Sequence, residues 1–183
     1  PRRPQPERIL IEPNEGIIAQ RTFIMHKDIK KVFSISVGSP IGIHYAFDLS
    51  RGSLLMAWDG QFLDATPMWD SRGESQLVEP NEFHVASHGG FEFAYLEIED
   101  SNWTNKDVDI GFTQLEYEFN QEGTTIFLSQ INGTNITNTF KPSGQRKIER
   151  HISVNANKTI WHKLAEGASI EALPNNTYII SDE

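Results

Sequence analysis

The chain has no cysteine in its 183 residues. Without cysteine there are no disulfide bonds, thiolate zinc sites, cysteine nucleophiles or covalently attached c-type haem groups. Long apolar runs are also missing: residues 53–58 form one of the longest, far short of the roughly 20 residues that a membrane-spanning helix needs. The chain also lacks a glycine-rich phosphate loop, a nucleophile elbow and an HExxH motif. The sequence therefore predicts no membrane span and no bound cofactor.

Positive charge is scarce. The 16 lysines and arginines are outnumbered by 25 aspartates and glutamates, which gives a net charge of −9 at pH 7. Proteins that bind nucleic acids present a basic stripe to the phosphate backbone, whereas the basic residues here are scattered along the chain. We therefore expect no nucleic-acid partner.

Helical periodicity is missing as well, and β-type patterns take its place. Short runs rich in β-branched and aromatic residues recur at the roughly 8–12-residue spacing typical of all-β domains. The prolines of residues 1–8 indicate an extended lead-in or linker. The remaining residues, 9–183, are of a length that one domain can use to build a core. We predict an all-β fold there, an antiparallel β-sandwich or a jelly-roll-like domain.

Turn signals set the predicted strand boundaries. Residues 50–52 are typical of a short hairpin loop, and Asp59-Gly60 is the strongest hairpin signal in the chain. A strand is expected to end at Trp58 on this basis. Residues 71–90 are polar and rich in glycine, so we predict a long surface loop with at most a short strand at residues 83–86.

The stretch from Gly38 to Gly73 has the highest density of aromatic and acidic residues, and it holds our candidate ligand site. Trp58, Phe62 and Trp69 are candidates for an aromatic platform under a sugar ring, although the first two fit a sandwich core equally well. Aspartates and an arginine are candidates for binding sugar hydroxyls, although aspartates beside glycine also build turns. The candidate ligand-binding residues are Trp69, Asp59, Asp64, Arg72, Phe62 and His44.

The alternative to a ligand-binding site is a catalytic site. Asp64 with Asp70, or a carboxylate with His84 or His88, could act on glycosidic bonds if two such groups meet in one cleft. The two histidines lie about 13 Å apart if they share a strand face, which is too far to ligate one metal unaided. The loop of residues 100–109 is rich in side-chain oxygens but fits no EF-hand spacing. We therefore assign no metal site.

Three parts of the stretch fit a pattern of the form VG-x-P-x-G-x-H-Y-x-FD, W-x-G-x-FLDA and W-x-x-RG. They are Val37–Asp48, Trp58–Ala65 and Trp69–Gly73, with residues 21–23 and Arg150 fitting more loosely. This pattern resembles a β-rich domain of large exported bacterial proteins that also carry c-type cytochrome and sorbosone-dehydrogenase-like propeller domains. The resemblance implies a periplasmic or extracellular setting and an auxiliary position beside such partners. It carries no catalytic residue over to this chain.

Taken together, these features favour a non-catalytic auxiliary domain that binds a carbohydrate or another protein. A carbohydrate-active hydrolase or lyase, and a docking domain for a cytochrome or dehydrogenase partner, are the two alternatives. The chain starts at Pro1 with no signal-like apolar stretch, so we expect a processed chain or a domain cut from a longer protein.

Overall fold

The computed structural model describes residues 7–96, 103, 110–120, 124–166 and 169–181. Strands dominate these residues, accompanied by one five-residue helix and one 3₁₀ turn at Pro174–Asn176. The elements are β1 (Leu10–Ile11), β2 (Ile18–His26), β3 (Ile29–Gly38), β4 (Ile43–Asp48), β5 (Ser53–Asp64), α1 (Thr66–Asp70), β6 (Leu77–Ala86), β7 (Phe93–Ala94), β8 (Phe112–Phe119), β9 (Thr125–Ile131), β10 (Thr134–Gly144), β11 (Lys147–Asn155), β12 (Trp161–His162), β13 (Ser169–Leu173) and β14 (Thr177–Ser181).

The larger sheet has six strands and is built around β5, the longest of them. One edge of β5 pairs with β4 and then with β1, and the other edge pairs with β6. Beyond β4 the order continues through β3 to β2, each strand antiparallel to the last. From β2 to β6, consecutive strands are therefore neighbours, which is the order of a meander rather than of a jelly roll, and β1 is the strand out of sequence order.

Gln76 draws the two ends of this sheet together. Its backbone N–H donates to the carbonyl of Phe23 in β2 at 2.8 Å, and its side-chain oxygen accepts from the Phe23 N–H at 2.7 Å. Because β6 begins at the next residue, β2 and β6 approach each other and the sheet curls. Its concave side encloses an apolar cluster of Ile24, Ala46, Leu55, Met56, Trp58, Phe62 and Leu63.

The convex side of the curled sheet packs against a second sheet in the order β11-β10-β9-β8. The two sheets meet through aromatic rings. Phe47 of β4 stacks on Phe127 of β9 with ring centroids 4.1 Å apart, and Tyr45 stacks on Phe140 at 5.1 Å. Stacked aromatic pairs add to the free energy gained by burying their area. The predicted all-β, antiparallel, sandwich-like fold is confirmed.

Two small ribbons complete the fold. β7 pairs with β12, and Phe93 from this ribbon packs on Ile131 and Ile136 at the far end of the second sheet. β13 pairs only with β14 among the described strands, and every residue of both strands is exposed. The first ribbon therefore extends the sandwich core, whereas the second forms a hairpin with no core of its own.

A buried carboxylate joins the two sheets and the first ribbon. Glu92, just before β7, is 3% exposed, and its Oε1 accepts a hydrogen bond from the Leu54 N–H of β5 at 2.9 Å. Its Oε2 accepts from the Arg150 guanidinium of β11. Arg150 Nε also donates to Asn138 Oδ1 of β10 at 3.0 Å. Burial alone would raise the pKa of Glu92, but His162 and the Arg150 guanidinium, with the Leu54 amide, hold that pKa below its usual range.

Two sequence-based boundaries were wrong. The strand does not end at Trp58, because β5 continues through Asp59-Gly60 to Asp64. The predicted loop of residues 71–90 instead contains β6, a ten-residue strand. At both places the turn-forming residues lie at irregularities in the pairing of β5 with β6. A local sequence pattern cannot distinguish such an irregularity from a chain reversal.

Replacing Glu92 by glutamine tests the buried ion pair. The Glu92→Gln variant keeps an acceptor for the Leu54 amide but leaves Arg150 without its counter-charge. We expect the free energy of unfolding to fall by about 3 kcal/mol, the usual cost of breaking a buried pair. Urea denaturation at neutral pH measures it. The matched control is Glu149→Gln, which removes the exposed pair with Lys147 and should leave the unfolding midpoint unchanged. Equal effects of the two changes would contradict the assignment.

Candidate functional site

Trp69 lies on α1 and points into solvent, with 73% of its surface exposed. The helix begins after Ala65, and Pro67 in its first turn suits the fixed backbone angle needed there. The backbone of Trp69 is held by a hydrogen bond of its N–H to the Ala65 carbonyl at 3.3 Å. The indole is therefore presented on a short, hydrogen-bonded helix.

Asp64 anchors the start of α1. Its Oδ1 accepts hydrogen bonds from the Thr66 N–H at 2.8 Å and from the Thr66 hydroxyl, and its Oδ2 accepts from Arg8 Nε at 2.9 Å. The carboxylate is only 6% exposed. The Thr66 and Arg8 hydrogen bonds keep the pKa of Asp64 below its usual range against the opposing effect of burial. Asp64 thus positions Trp69 indirectly and has no free oxygen directed at a ligand.

Gln76 and Lys30 fix the other side of α1. Gln76 Nε2 lies 3.0 Å from Met68 Sδ, so the residue that closes the large sheet also contacts the helix. Lys30 Nζ lies 5.3 Å from the centroid of the Phe23 ring and donates to the Gly73 carbonyl just after the helix. Sequence reasoning missed these contacts because they join residues that are far apart in the chain. We call the resulting patch of Phe23, Lys30, Trp69, Asp70 and Arg72 the α1 surface.

The other candidate aromatics lie inside the protein, which corrects the predicted platform. Trp58 and Phe62 are both 0% exposed and lie with parallel rings 6.2 Å apart in the concave cluster. His44 is 2% exposed, and its Nδ1 accepts from the Ser39 N–H while its Nε2 faces the Gly60 carbonyl at 3.0 Å. Burial lowers the pKa of His44, so the neutral ring fits this pair of partners. Phe62 and His44 are structural and offer no surface to a ligand.

Asp59 is also committed to the fold. Trp58 and Gly60 of β5 pair with His84 and Pro80 of β6, and the residues of β6 between these two pairs form a bulge opposite Asp59. Asp59 Oδ1 accepts the backbone N–H groups of Asn81, Glu82 and Phe83 at 2.9 to 3.1 Å. These hydrogen bonds, with nearby Arg146, lower the pKa of Asp59. Asp59 is therefore occupied by these backbone amides and is not part of the α1 surface.

The remaining polar candidates do not gather in one cleft. Asp70 and Arg72 are exposed beside Trp69, and the backbone of Arg72 is left-handed, with φ 37°. His84 is exposed on β6, and His88 is half-buried in the segment after it. Within the described ranges, no group of three or more acidic or histidine side chains is arranged to hold a metal ion. The oxygen-rich loop of residues 100–109 lies outside the described residues, apart from residue 103.

His26 is a buried polar residue at the turn between β2 and β3. It ends β2 at a two-residue turn and is 3% exposed, with its ring against Gly89. Neither ring nitrogen has a well-formed hydrogen bond among the described residues. Beside it, Lys31 Nζ lies 3.0 Å from Asp48 Oδ2 and donates to the Gly89 carbonyl at 3.1 Å. Burial, aided by the charge of Lys31, lowers the pKa of His26 to about 4.

Two open clefts lie away from the α1 surface. One, between the sheets, has a volume of about 510 Å³ and is crossed by a hydrogen bond from Arg21 Nε to the Tyr117 hydroxyl. The other has a volume of about 460 Å³ and lies where the Tyr95 hydroxyl bonds to that of Thr134. Neither was singled out by sequence motifs. The second is lined by Tyr95, Asn132, Thr134, Asn157 and Lys158.

Comparisons with models of known protein families, with curated proteins and with solved structures found no match to this chain. In the described part of the chain, no helix has the length and apolar character needed to cross a membrane.

His26 makes a specific pH dependence testable. Its pKa is about 6.5 in an unfolded chain and about 4 in the fold, so the unfolded state binds the proton first as pH falls. Stability is therefore lost between these two values. We expect the free energy of unfolding to drop by on the order of 2 kcal/mol from this residue between neutral pH and about pH 4.5.

The His26→Gln variant cannot titrate and should lose that part of the dependence. Urea denaturation curves for wild type and variant, measured across the same pH series, give the difference directly. Other histidines with lowered pKa values, such as His44, contribute equally to both proteins and cancel. Parallel pH profiles for the two proteins would show that His26 is not held neutral in the fold.

Proposed function

We propose that this protein is a non-catalytic binding module whose α1 surface contacts a carbohydrate. The observation that carries the proposal is the 73% exposure of Trp69 on a helix that is anchored at both ends. Tryptophan is usually highly buried, and an exposed indole leaves a large apolar face in water. The helix backbone that presents this indole is held by hydrogen bonds, so little backbone entropy is lost when a ligand binds, which favours recognition.

The chemistry around Trp69 suits a polyhydroxylated ligand. The indole face can pack against the apolar C–H face of a pyranose, while its neighbours carry the charged and polar groups that hydrogen-bond hydroxyls. Asp70 supplies acceptors, and Arg72 and Lys30 supply donors. The patch is open rather than enclosed, as a polysaccharide chain passing over the surface requires. Of the predicted ligand-binding residues, Trp69 and Arg72 therefore remain in the proposed carbohydrate site. The others are no longer part of it: Phe62, His44, Asp59 and Asp64.

The hydrolase or lyase alternative receives little support from the same geometry. Its preferred carboxylate, Asp64, is buried and accepts three hydrogen bonds, and Asp70 is exposed. A general acid needs a raised pKa in a partly enclosed site, whereas the pKa of Asp64 is lowered. His84 lies on β6 and His88 in the segment after it, whereas Asp64 ends β5 and Asp70 ends α1.

A protein-docking role is favoured by one separate observation. The β13–β14 hairpin exposes a row of large apolar side chains, as expected of a surface that another protein covers. The exported setting and the cytochrome or propeller partners implied by the sequence resemblance belong to this proposal. Carbohydrate binding at α1 and docking at the hairpin use different surfaces, so one chain can do both.

Calorimetric titration of the Trp69→Ala variant tests the carbohydrate proposal. We expect wild type to bind at least one member of a panel of β-glucan, xylan, pectin and chito-oligosaccharides. Removing the indole should weaken that binding by about tenfold or more, as for an aromatic anchor at the centre of an interface. The helix should remain folded, because the Trp69 side chain is outside the core.

The matched control is Phe33→Ala, which removes an exposed aromatic ring of β3 that is 64% exposed. Its carbohydrate affinity should equal that of wild type. If no member of the panel binds wild type, or if both alanine variants bind as wild type does, the proposed role of the α1 surface is wrong.

A further inference from the structure

The cleft between the two sheets opens where their edge strands β2 and β8 come together. Its volume of about 510 Å³ is in the range of pockets that hold small molecules, about 300–1,000 Å³. Apolar and aromatic side chains form a large part of its walls: Phe33 of β3, Leu49 after β4, and Leu115 and Tyr117 of β8. Phe33 is 64% exposed and Leu115 is 46% exposed. Such walls favour a ligand with an apolar body.

Hydrogen bonds fix the shape of these walls. The pairing of β8 with β9 shifts between Gln114 and Glu116, so Leu115 is the extra residue of a bulge, a feature that often re-aims a side chain. Gln114 Nε2 donates to two backbone carbonyls, at 2.8 and 2.9 Å, and holds this bulge in place. On the side of the larger sheet, the Leu49 N–H donates to the Phe33 carbonyl at 2.8 Å. The fold therefore holds the backbone of both exposed apolar residues in position.

Arg21 of β2 brings a positive charge to this cleft. Its Nε donates to the Tyr117 hydroxyl at 3.3 Å, and its guanidinium carbon lies 5.8 Å from the centroid of the Tyr117 ring. Arg8 and Arg150 each pair with a carboxylate, but among the described residues no carboxylate lies within ion-pair distance of Arg21. A guanidinium has five N–H donors. With one of them used by Tyr117, Arg21 keeps donors for an anion that enters the cleft.

Glu116 also borders the cleft, but its side chain belongs to the other face of β8. Tyr117 lies opposite Phe127, which is buried in the core between the sheets, whereas Glu116 lies opposite the half-buried Leu128. Successive side chains of a strand point to opposite faces, so the Glu116 carboxylate is on the outer face of the second sheet. The net charge of −9 repels anions in general, but that repulsion is screened at physiological salt. The charge that faces an entering ligand is therefore that of Arg21.

We infer that this cleft between the sheets binds an aromatic carboxylate, with the carboxylate on Arg21 and the ring against Phe33 and Leu115. Arginine binds a carboxylate through parallel hydrogen bonds, which fix the orientation of the ligand as well as balancing its charge. An aromatic ring gains from offset or edge-to-face contact with Phe33 beyond the area that it buries. The same chemistry occurs in a free aromatic acid and at the C-terminus of a peptide that ends in an aromatic residue.

Calorimetric titration of the 183-residue chain with phenylacetate and with N-acetylphenylalanine tests this inference. The first represents a free aromatic acid, and the second represents a peptide C-terminus. We expect at least one of them to bind with a dissociation constant below about 1 mM. The methyl ester of that ligand should bind at least about tenfold more weakly, because it lacks the charge that Arg21 pairs with. If the two acids differ in affinity, the tighter one identifies the source of the ligand.

Two variants locate the bound acid in the cleft. Arg21→Gln and Phe33→Ala should each weaken binding of the acid by at least about tenfold, the first through the charge and the second through the ring. The matched control is Lys141→Gln, which removes one positive charge from an exposed position of β10 and should bind the acid as wild type does. Circular dichroism checks that each variant is folded, and the exposure of Phe33 favours this for Phe33→Ala.

Several results would overturn the inference. They are a wild type that binds neither acid, an ester that binds as tightly as its acid, and folded Arg21→Gln or Phe33→Ala variants that bind as wild type does. Equal losses in Arg21→Gln and Lys141→Gln would also overturn it, because they would trace the effect to overall charge. Carbohydrate binding at the α1 surface uses none of these three side chains, so each proposal can fail without the other.

Discussion

The buried carboxylate of Glu92 is the constraint on which the arrangement of the layers depends. Bringing a charge out of water is unfavourable unless each oxygen finds a partner. Glu92 meets this condition with a backbone amide of β5 on one oxygen and the Arg150 guanidinium on the other. Because these partners belong to different sheets, a shift of one sheet relative to the other would leave a buried charge unpaired. Aromatic stacking binds the sheets together, but directional charge pairing sets their register.

The curled sheet has a polar interior beside its apolar cluster. Thr22, Ser34 and Ser36 are buried and form hydroxyl hydrogen bonds of 2.8 and 3.0 Å across neighbouring strands. Lys31 and Asp48 form an ion pair nearby, next to the unbonded ring of His26. Polar groups of this kind specify a unique strand register when they are satisfied and lower stability when they are not. The neutral His26 ring has the fewest hydrogen bonds of these buried polar groups, and its protonation makes the stability of the fold depend on pH.

Strand alternation made the second sheet predictable from sequence, because β9 and β10 alternate cleanly and Asn132-Gly133 has the backbone of a tight hairpin turn. The curled sheet was harder. Asp59-Gly60 has the composition of a turn, but Asp59 binds the amides of a bulge and Gly60 adopts φ 97° within the strand. Local pattern cannot show that a strand passes through such a point.

The candidate site residues were also only partly predictable from sequence, because some of them are buried and others are exposed. Trp58 and Trp69 have comparable surroundings in sequence, yet one is enclosed by the curl of the sheet and the other lies on a helix outside it. Which face of a curled sheet is enclosed depends on Gln76, a residue whose role comes only from its contact with β2. The sequence left a core position open for Phe62 but gave no sign that His44 is buried, because that burial depends on the curl of the sheet.

The contrast between these two indoles also gives the protein an optical readout. Trp58, at 0% exposure, donates its indole N–H to the Gln61 carbonyl at 3.0 Å and is insulated from solvent and dissolved quenchers. Trp69 is open to both. Trp103 and Trp161 are half-buried, so iodide or acrylamide will quench Trp69 ahead of the other three indoles. A ligand covering α1 would shield Trp69, and the difference in quenching between wild type and Trp69→Ala isolates that indole.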